Sequence, residues 1–567
     1  MSDSGAPTPH VPNQSRLEAL GQAVNAGQGA PRHRQRVKRS RGKIVLVTLA
    51  TVFVLIIAAV AGDYWYINHL VHHINVPGEA KQYNNTENIL LVGSTTRCGL
   101  KVQNKAYGLC SQGVTGVNSD VVMILHLNLT TNQVSILSLP RDLFVPNARV
   151  DGANKIDAAL YNGPQQLVAA IQEDFGIPIN HYVELNFDTF ADVVNVLGGI
   201  KMYFPMEVFD AYSELYVRHP GCIQLDGTRA LQVVRARHLQ IRFPGDSQDY
   251  RLWPQEALSD LARIRRDHEF LKVLADAVKA RGLSNPLTDQ RLATSVARYL
   301  TVDQGLTTSS LLSLAEHFHG VSVASVPELT VPVVLVETGS NGYLYQGYYY
   351  GDVEFPIDPG VMQTIDRFMD LGPGINTMDG KPLPKSSTVT VSVLNGTGVP
   401  NQAQVVAAGL RRRGFVVHGL ASATPFGTRE ETVVYHANNS AASLGAAQAV
   451  IHTIEGPAVM ALGRTTAGDM VTVLTGSDVS VIAPAPRVPA TTTTIKGKRD
   501  GTSTTTTIKR KHHDTSTTTT TKPVTQITVV DPAAVKRDTD LSAPTDVTQA
   551  LQPWDPRSCT ASGGEGP

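Results

Sequence analysis

Hydrophobic and polar positions divide the chain into three regimes. Ile44 to Gly62, IVLVTLATVFVLIIAAVAG, is an uncharged run of 19 residues, long enough to cross the roughly 30 Å hydrocarbon core of a bilayer as a helix. From about Asn88, short apolar runs of period two alternate with longer runs of helical period, the pattern of a packed mixed domain. Beyond about Ala483 the chain is Thr runs with Pro, Lys and Arg, TTTTIKGKRDGTSTTTTIKRKHHDTSTTTTTK among them, and cannot bury a core.

Within the middle regime the elements follow from local signals. Ile89 to Val92 reads as a strand ending at Gly93, and Val121 to Leu129 as a longer one that pairs with Val134 to Leu139 across the turn LTTNQ. Pro140 ends the last of these, since it cannot donate to a ladder. Residues 164 to 175 predict an amphipathic helix with Leu167, Ile171 and Phe175 on one face and Gly176 at its end. HYVELNF is a strand, Phe190, Val193, Val194 and Leu197 repeat at helical spacing, and Lys201 to Phe204 is strand-like. Asp226 caps a helix, GTRALQVV, that gives way near Arg235 and Arg237. A long helix begins near Ser259, with Leu261, Ile264, Leu271, Ala275 and Val278 as its buried stripe, and another spans about Thr307 to His317. The tyrosines of YLYQGYYYGDVEF read as a packed or glycan-facing sheet surface.

After the linker PGINTMDGKPLPKSS, a second set of elements runs strand VTVSVLNG, helix 400 to 413, strands FVVH and TVVYH, helix 441 to 454 and strand MVTVLTG. The expected class is α/β: a mixed sheet flanked by helices, then a small α/β domain. The expected organisation is a disordered basic segment 1–43, a transmembrane helix 44–62, a stalk 63–85, a larger domain 86–372 with its core in 86–335, the linker 373–387, the small domain 388–482 and a disordered tail 483–567.

Charge changes this picture by its placement, because Lys plus Arg equals Asp plus Glu at 49 each and the balance implies no nucleic-acid partner. PRHRQRVKRSRGK lies directly ahead of the apolar run, which puts the N-terminus in the cytoplasm by the positive-inside rule and everything after about residue 63 outside the cell membrane. The run is too long and too far from the N-terminus for a signal peptide, so it reads as an uncleaved single-pass anchor in the lipid bilayer. Of the four cysteines, Cys98 and Cys110 bracket a Gly-containing loop where an oxidising compartment permits a disulfide. No CxxC or neighbouring His pattern supports a metal centre there.

Candidate chemistry gathers at element exits. Arg141 and Asp142 follow the strand that Pro140 ends, and Lys155 follows in a Gly/Asn turn; Arg235, Arg237, Arg263 and Arg266 stand at or on helices, while Arg265 points elsewhere and reads as solvated. Arginine presents a planar fork of donors and lysine a compact charge, which together outline an anion site; Arg141 paired only with a neighbouring carboxylate is the alternative. So many cations outside a membrane suggest an amphiphile with a pyrophosphate head and a lipid tail. Asp120 and Asp142 suit a Mg²⁺ ion bridging such oxygens, since Mg²⁺ favours one or two carboxylates plus substrate phosphate. Phosphoryl transfer, which depends on positioning and charge neutralisation, fits this set.

The segments SLPRD, SDVVMI before it, NKIDAA, LDGTRALQVVRARH and DLARIRRDHEFL, in this order and spacing, resemble the LytR-CpsA-Psr (LCP) family over roughly residues 86 to 335. VTVSVLNGTGVPNQAQVVAAGLRRRGF resembles the LytR C-terminal domain often attached to that family in actinobacteria. The resemblance implies a Mg²⁺-assisted phosphotransferase that attaches a glycopolymer from a polyprenyl pyrophosphate carrier to peptidoglycan, with the lipid in an apolar tunnel. Carried over by position, Arg97, Arg141, Lys155, Arg235, Arg237, Arg263 and Arg266 bind the pyrophosphate, Arg141 and Arg263 serve catalysis, and Asp120 is a metal ligand; the resemblance does not fix the base that activates the glycan hydroxyl, for which Asp142 is the candidate.

Three positions depart from the family pattern. Thr95 stands in GSTTR where a second metal-linked Asp is expected, Asn118 replaces a common Arg ahead of SD, and Asp267 replaces the first of paired glutamines after RIRR. A neutral Thr cannot supply a carboxylate's charge. Two readings follow: an active ligase with a rearranged metal site, or a catalytically weak relative that binds lipid-linked polymer or peptidoglycan as a wall-assembly or regulatory factor.

Overall fold

The computed structural model describes residues 69, 71–98, 109–113, 115–257, 259–282, 296, 299–318, 320–336, 342–423, 430–483 and 550–559. The expected transmembrane run 44–62 and the basic segment before it lie outside the described residues. Among the described residues no helix is long and apolar enough to cross a membrane.

The chain is mixed α/β, as its alternating periods predict. A seven-stranded sheet is built from β1 (His72–Ile74), β2 (Thr86–Ser94), β3 (Ser119–Asn128), β4 (Gln133–Leu139), β5 (His181–Leu185), β6 (Thr301–Asp303) and β7 (Glu328–Thr330), in the order β1-β6-β5-β2-β3-β4-β7. The β2, β3 and β4 strands form an antiparallel meander, whereas β5 lies parallel to β2 and β7 parallel to β4. Parallel neighbours need crossovers, and helices supply them on the sheet's faces. Leu90, Ile124 and Leu137 sit in register across β2, β3 and β4 and are fully buried, each worth roughly 1.5–3 kcal/mol of transfer free energy.

The helix α1 (Pro164–Phe175) begins with Pro at its first position and buries Leu167, Val168, Ile171 and Phe175. It stops at Gly176, whose φ of +66° is left-handed and whose N–H donates to the Gln172 carbonyl. A Cβ there would stand 2.6 Å from the Gln448 amide and 3.0 Å from Met460. Farther along come α2 (Phe187–Val196), α3 (Gly227–Arg235), α4 (Ser259–Gly282) and α5 (Thr308–Phe318). Asn186 and Thr189 form a reciprocal capping box on α2, and Asp226 caps α3 through the Arg229 N–H. α3 lies so close to α2 that a Cβ on Gly227 would stand 2.1 Å from the Ala191 carbonyl oxygen; only glycine permits that approach.

The second sheet joins the two expected domains. Its path runs β8 (Val333–Val336), β9 (Val353–Asp358), β13 (Ile454–Leu462), β12 (Thr432–His436), β14 (Val471–Thr475), β10 (Thr390–Asn395) and β11 (Val416–Ser422), so the first two strands belong to the larger region. Between them lie α6 (Gly360–Phe368), α7 (Gln402–Arg412) and α8 (Ala441–Ile451). One apolar core runs from Leu90 and Ile124 through Phe175 and Phe368 to Val393 and Val459. The stretch 373–387, read as a linker, is packed: Thr377 is fully buried, donates to the Gly176 carbonyl and accepts from Gln448. His436 likewise bonds the Glu173 carbonyl of α1. Of the tyrosines, Tyr343, Tyr345 and Tyr350 surround Phe144, and Tyr348 and Tyr349 are exposed.

Asp358, at the end of β9 where it meets β13, is buried, accepts the Met362 N–H at 3.2 Å, and its Oδ2 has no hydrogen-bond partner. Burial pushes this carboxyl up to about 8. The native state therefore keeps a proton that the unfolded chain releases near pH 4, so stability falls as pH rises from about 4 to 8, by up to roughly 1.4 kcal/mol per unit. Asp358→Asn removes that slope. Urea midpoints at pH 5 and pH 8 should lie closer together in the variant than in the wild type; equal spacing would show that Asp358 does not titrate with folding.

The expectation of disorder throughout 483–567 meets one correction. Residues 550–559 fold onto the larger region: β15 (Arg557–Ser558) pairs antiparallel with the strand Ile200–Phe204, Trp554 enters the apolar cluster of Phe204, Phe243 and Phe270, and Cys559 is bonded to Cys222. Composition obscured this because the anchoring residues are few and separated from their partners by hundreds of positions.

Candidate functional site

Pro140 turns the chain out of β4, and Leu143 closes the turn by donating to its carbonyl. Arg141 and Asp142 project from that turn, and Lys155 ends the short strand Gly152–Lys155, paired with Phe144. α3 ends at Arg235, and Ala236 adopts an extended conformation that sends Arg237 away from the helix. Arg263 stands one turn into α4, three residues after Asp260.

These side chains meet in one ion network. Arg141 Nη1 lies 2.6 Å from Asp120 Oδ1, its Nη2 3.4 Å from Asp157 Oδ2 and its Nε 3.6 Å from Asp142 Oδ2. Asp142 also takes Lys155 Nζ at 2.8 Å and Arg237 Nη2 at 2.7 Å. Asp260 holds Arg237 Nε at 3.2 Å and Arg263 Nη2 at 3.1 Å, and accepts the Arg141 backbone N–H. Sequence reasoning does not reach Asp157 and Asp260 as members of this network. The i, i+3 spacing of Asp260 and Arg263 was the available signal.

Electrostatics sort the carboxyls. Burial opposes ionisation of Asp120, but Arg141, Arg263, Arg235 and Arg237 outweigh it and hold the group below the usual carboxylate range. The same contest leaves Asp142 depressed, through Arg141, Lys155 and Arg237. Asp142, a candidate base, is thus the counter-ion of three cations and weakly basic. At Asp157 burial wins against Arg141 and lifts the carboxyl to about 6; at Asp267 burial wins against Arg263 and lifts it to about 8.

Beside the network is an apolar cavity of about 170 Å³ between the main sheet and helices α2, α3 and α4. Met123, Phe190, Leu231, Phe270 and Leu274 make its greasy wall, and Asp120, Arg235 and Asp267 its polar lining. The Arg235 guanidinium carbon lies 4.7 Å from the centroid of the Phe187 ring. Arg97 Nη1 donates to the Thr95 carbonyl. Thr95 is buried and its hydroxyl accepts the Asn118 N–H at 2.9 Å, while Asn118 Nδ2 donates to Asp157 at 3.1 Å.

Two sequence expectations are corrected. Arg266 is not part of the anion site: it is buried, binds Glu256 at 2.5 Å and the Ala236 carbonyl at 2.6 Å, and lies 3.6 Å from Asp555. Arg265 is not solvated: it binds Asp555 and Glu256 at 2.5 and 2.6 Å. From Asp260 to Phe270 every residue of α4 is buried, so no face of the helix was left for solvent. Cys98 and Cys110 are bonded, with their Cα atoms 5.2 Å apart.

The fold and site define a class of mixed α/β protein in which a network of paired arginines and carboxylates stands beside an apolar cavity. Residues 68–354 match the LytR_cpsA_psr family, and residues 388–478 match the LytR cell envelope-related transcriptional attenuator family. The chain belongs to the LytR-CpsA-Psr family. It is similar to the probable cell wall biosynthesis protein LcpB of Corynebacterium glutamicum, 30% identical over 55% of this chain and 69% of that one. It is also similar to the cell wall biosynthesis protein LcpA of the same organism, 23% identical over 64% of this chain and 72% of that one. The polyisoprenyl-teichoic acid–peptidoglycan teichoic acid transferase TagU of Bacillus mycoides is 30% identical over 23% of this chain and 42% of its own.

Proposed function

We propose that the chain is a membrane-anchored, extracytoplasmic phosphotransferase that moves a glycopolymer from a polyprenyl pyrophosphate carrier to peptidoglycan. The observation that carries this reading is the guanidinium cluster of Arg141, Arg237 and Arg263 beside an apolar cavity with Arg235 in its lining. Relatives named for cell wall biosynthesis and for teichoic acid transfer to peptidoglycan support it.

In the reaction an acceptor hydroxyl of peptidoglycan attacks the phosphorus that bears the polymer. The bond to the bridging oxygen breaks, polyprenyl phosphate leaves, and a phosphodiester joins polymer to wall. Arg141, Lys155, Arg235, Arg237 and Arg263 neutralise the pyrophosphate as charge moves to the leaving oxygen, the step where fixed donors help most. Asp157, lifted to about 6, has the basicity best matched to accept the hydroxyl proton near neutral pH. The carboxylate of Asp120 and the unbonded oxygens of Asp267 suit Mg²⁺, which when bound would offset charge on the phosphate oxygens.

The competing reading is a binding relative with weak catalysis, favoured by Thr95, whose hydroxyl is engaged with Asn118. The test is the full chain in detergent with a lipid-linked glycan, Mg²⁺ and peptidoglycan, followed for polyprenyl phosphate and for phosphodiester-linked product. Both should appear together. Tight lipid binding without either product would replace transfer with the binding role.

A further inference from the structure

Asp267 stands on α4 beside a network in which Asp120, Asp142, Asp157 and Asp260 all accept hydrogen bonds. It is 4% exposed, and neither Oδ1 nor Oδ2 has a hydrogen-bond partner among the described residues. Arg263 Nε stands 3.6 Å from Oδ2, an ion-pair distance without a hydrogen bond. A carboxyl left bare in the interior costs free energy unless something else uses it. Asp267 lines the cavity together with Asp120, so both carboxyls face the space where a pyrophosphate head would lie.

The alternatives for the bare oxygens are poor. Apolar surroundings cannot satisfy them, and Arg266, one residue earlier, is turned to Glu256 and Asp555. Thr95, on the same side of the network, supplies no charge and has its hydroxyl occupied by the Asn118 N–H. A divalent cation held by oxygen ligands would satisfy Asp267, and its preference for one or two carboxylates with phosphate oxygens matches this donor set.

We propose that Asp267 and Asp120 together ligate a divalent cation in the cavity lining, so that the carboxylate absent at position 95 is supplied from α4. The assignment rests on the transfer reading for the phosphate oxygens that complete the shell. The metal's second protein ligand then comes from a helix, two turns before Leu274 of the apolar wall, and metal and lipid share one rigid element.

The test measures free Mn²⁺ by electron paramagnetic resonance as it is titrated into the full chain in detergent, with farnesyl pyrophosphate as probe. Wild type should bind Mn²⁺ more tightly with the probe than without. Asp267→Gln should weaken binding at least tenfold, Asp267→Glu should retain most of it, and Thr95→Asp added to Asp267→Gln should recover it. Mn²⁺ affinity unchanged in Asp267→Gln would overturn the assignment, and Asp267→Asn, closer in shape, is read the same way should the Gln variant not fold. Polyprenyl phosphate release is assayed separately. Release by the wild type with undiminished Mn²⁺ binding in Asp267→Gln would remove the ligand and leave transfer standing, whereas Mn²⁺ binding lost in the variant without release by the wild type would remove transfer and leave the ligand.

Discussion

Arg141→Ala is expected to lower polyprenyl phosphate release by roughly 10²- to 10³-fold, the usual cost of removing one preorganised donor from a developing charge. The true loss should sit at or above that range, because Arg141 is shared by Asp120, Asp157 and Asp142. Without it these carboxyls face one another with less compensation, and a site meant to attract an anion becomes more negative. Asp157, already lifted to about 6 with Arg141 present, should rise further. Residual activity in the variant should therefore shift its acidic limb to higher pH, since a base must be ionised to act. Arg141→Lys restores a charge but not the fork that reaches three carboxylates, so it should recover only part of the rate. Single-turnover release at several pH values measures both effects. A rate in Arg141→Ala within a factor of about three of wild type would place the transfer elsewhere.

The elements that carry this site were readable because each has a local cause. Pro140 stops a strand, Asp226 caps a helix, and Gly176 ends one. Arg141, Lys155, Arg237 and Arg263 stand where strands or helices end or begin, and such positions project side chains into a common space. Arg265 and Arg266 were misread for a physical reason. A stripe of helical period predicts which face is buried only when another face meets solvent, and α4 has none over its first turns. Its polar residues are inside with counter-ions contributed by residue 256 and by residue 555, the second nearly three hundred positions away. No window of sequence contains that pairing. The docking of α1 and the strand Phe144–Arg149 on the second sheet was hidden likewise, since Asn147 bonding Leu462 of β13 and His436 of β12 bonding the Glu173 carbonyl are matters of shape between distant segments.

The two ends of the network respond to different perturbations. Under the proposed transfer Arg141 meets the substrate, so its loss is a loss of rate. Arg265 and Arg266 lie on the same helix as Arg263 and Asp267 but pair with Glu256 and Asp555, so their counter-ions hold the helix that presents the site.

Deleting residues 550–567 is therefore expected to destabilise the larger region by more than the roughly 3–5 kcal/mol that removing one partner of a buried ion pair costs. Asp555 is fully buried and its Oδ2 lies 2.5 Å from Arg265 Nε; Trp554 gives its indole N–H to Glu256 at 3.0 Å. Removing both leaves Arg265 and Arg266 to share Glu256 and opens the space that Trp554 fills against Phe243. Asp555→Ala should account for much of the loss, because the arginines remain buried with one carboxylate between them. Trp554→Ala should cost roughly 3–5 kcal/mol through the cavity it leaves. The double variant should fall short of the sum, since both residues converge on Glu256. Cys559→Ser separates the covalent tie from these contacts: with Trp554 and Asp555 still present, it should destabilise less than the deletion. Urea unfolding of the wild type and the five variants, with the slope checked for constancy, gives the ranking. A deletion as stable as the wild type would mean that the segment rests on the surface without holding α4, and Arg265 would then have to find its compensation in Glu256 alone.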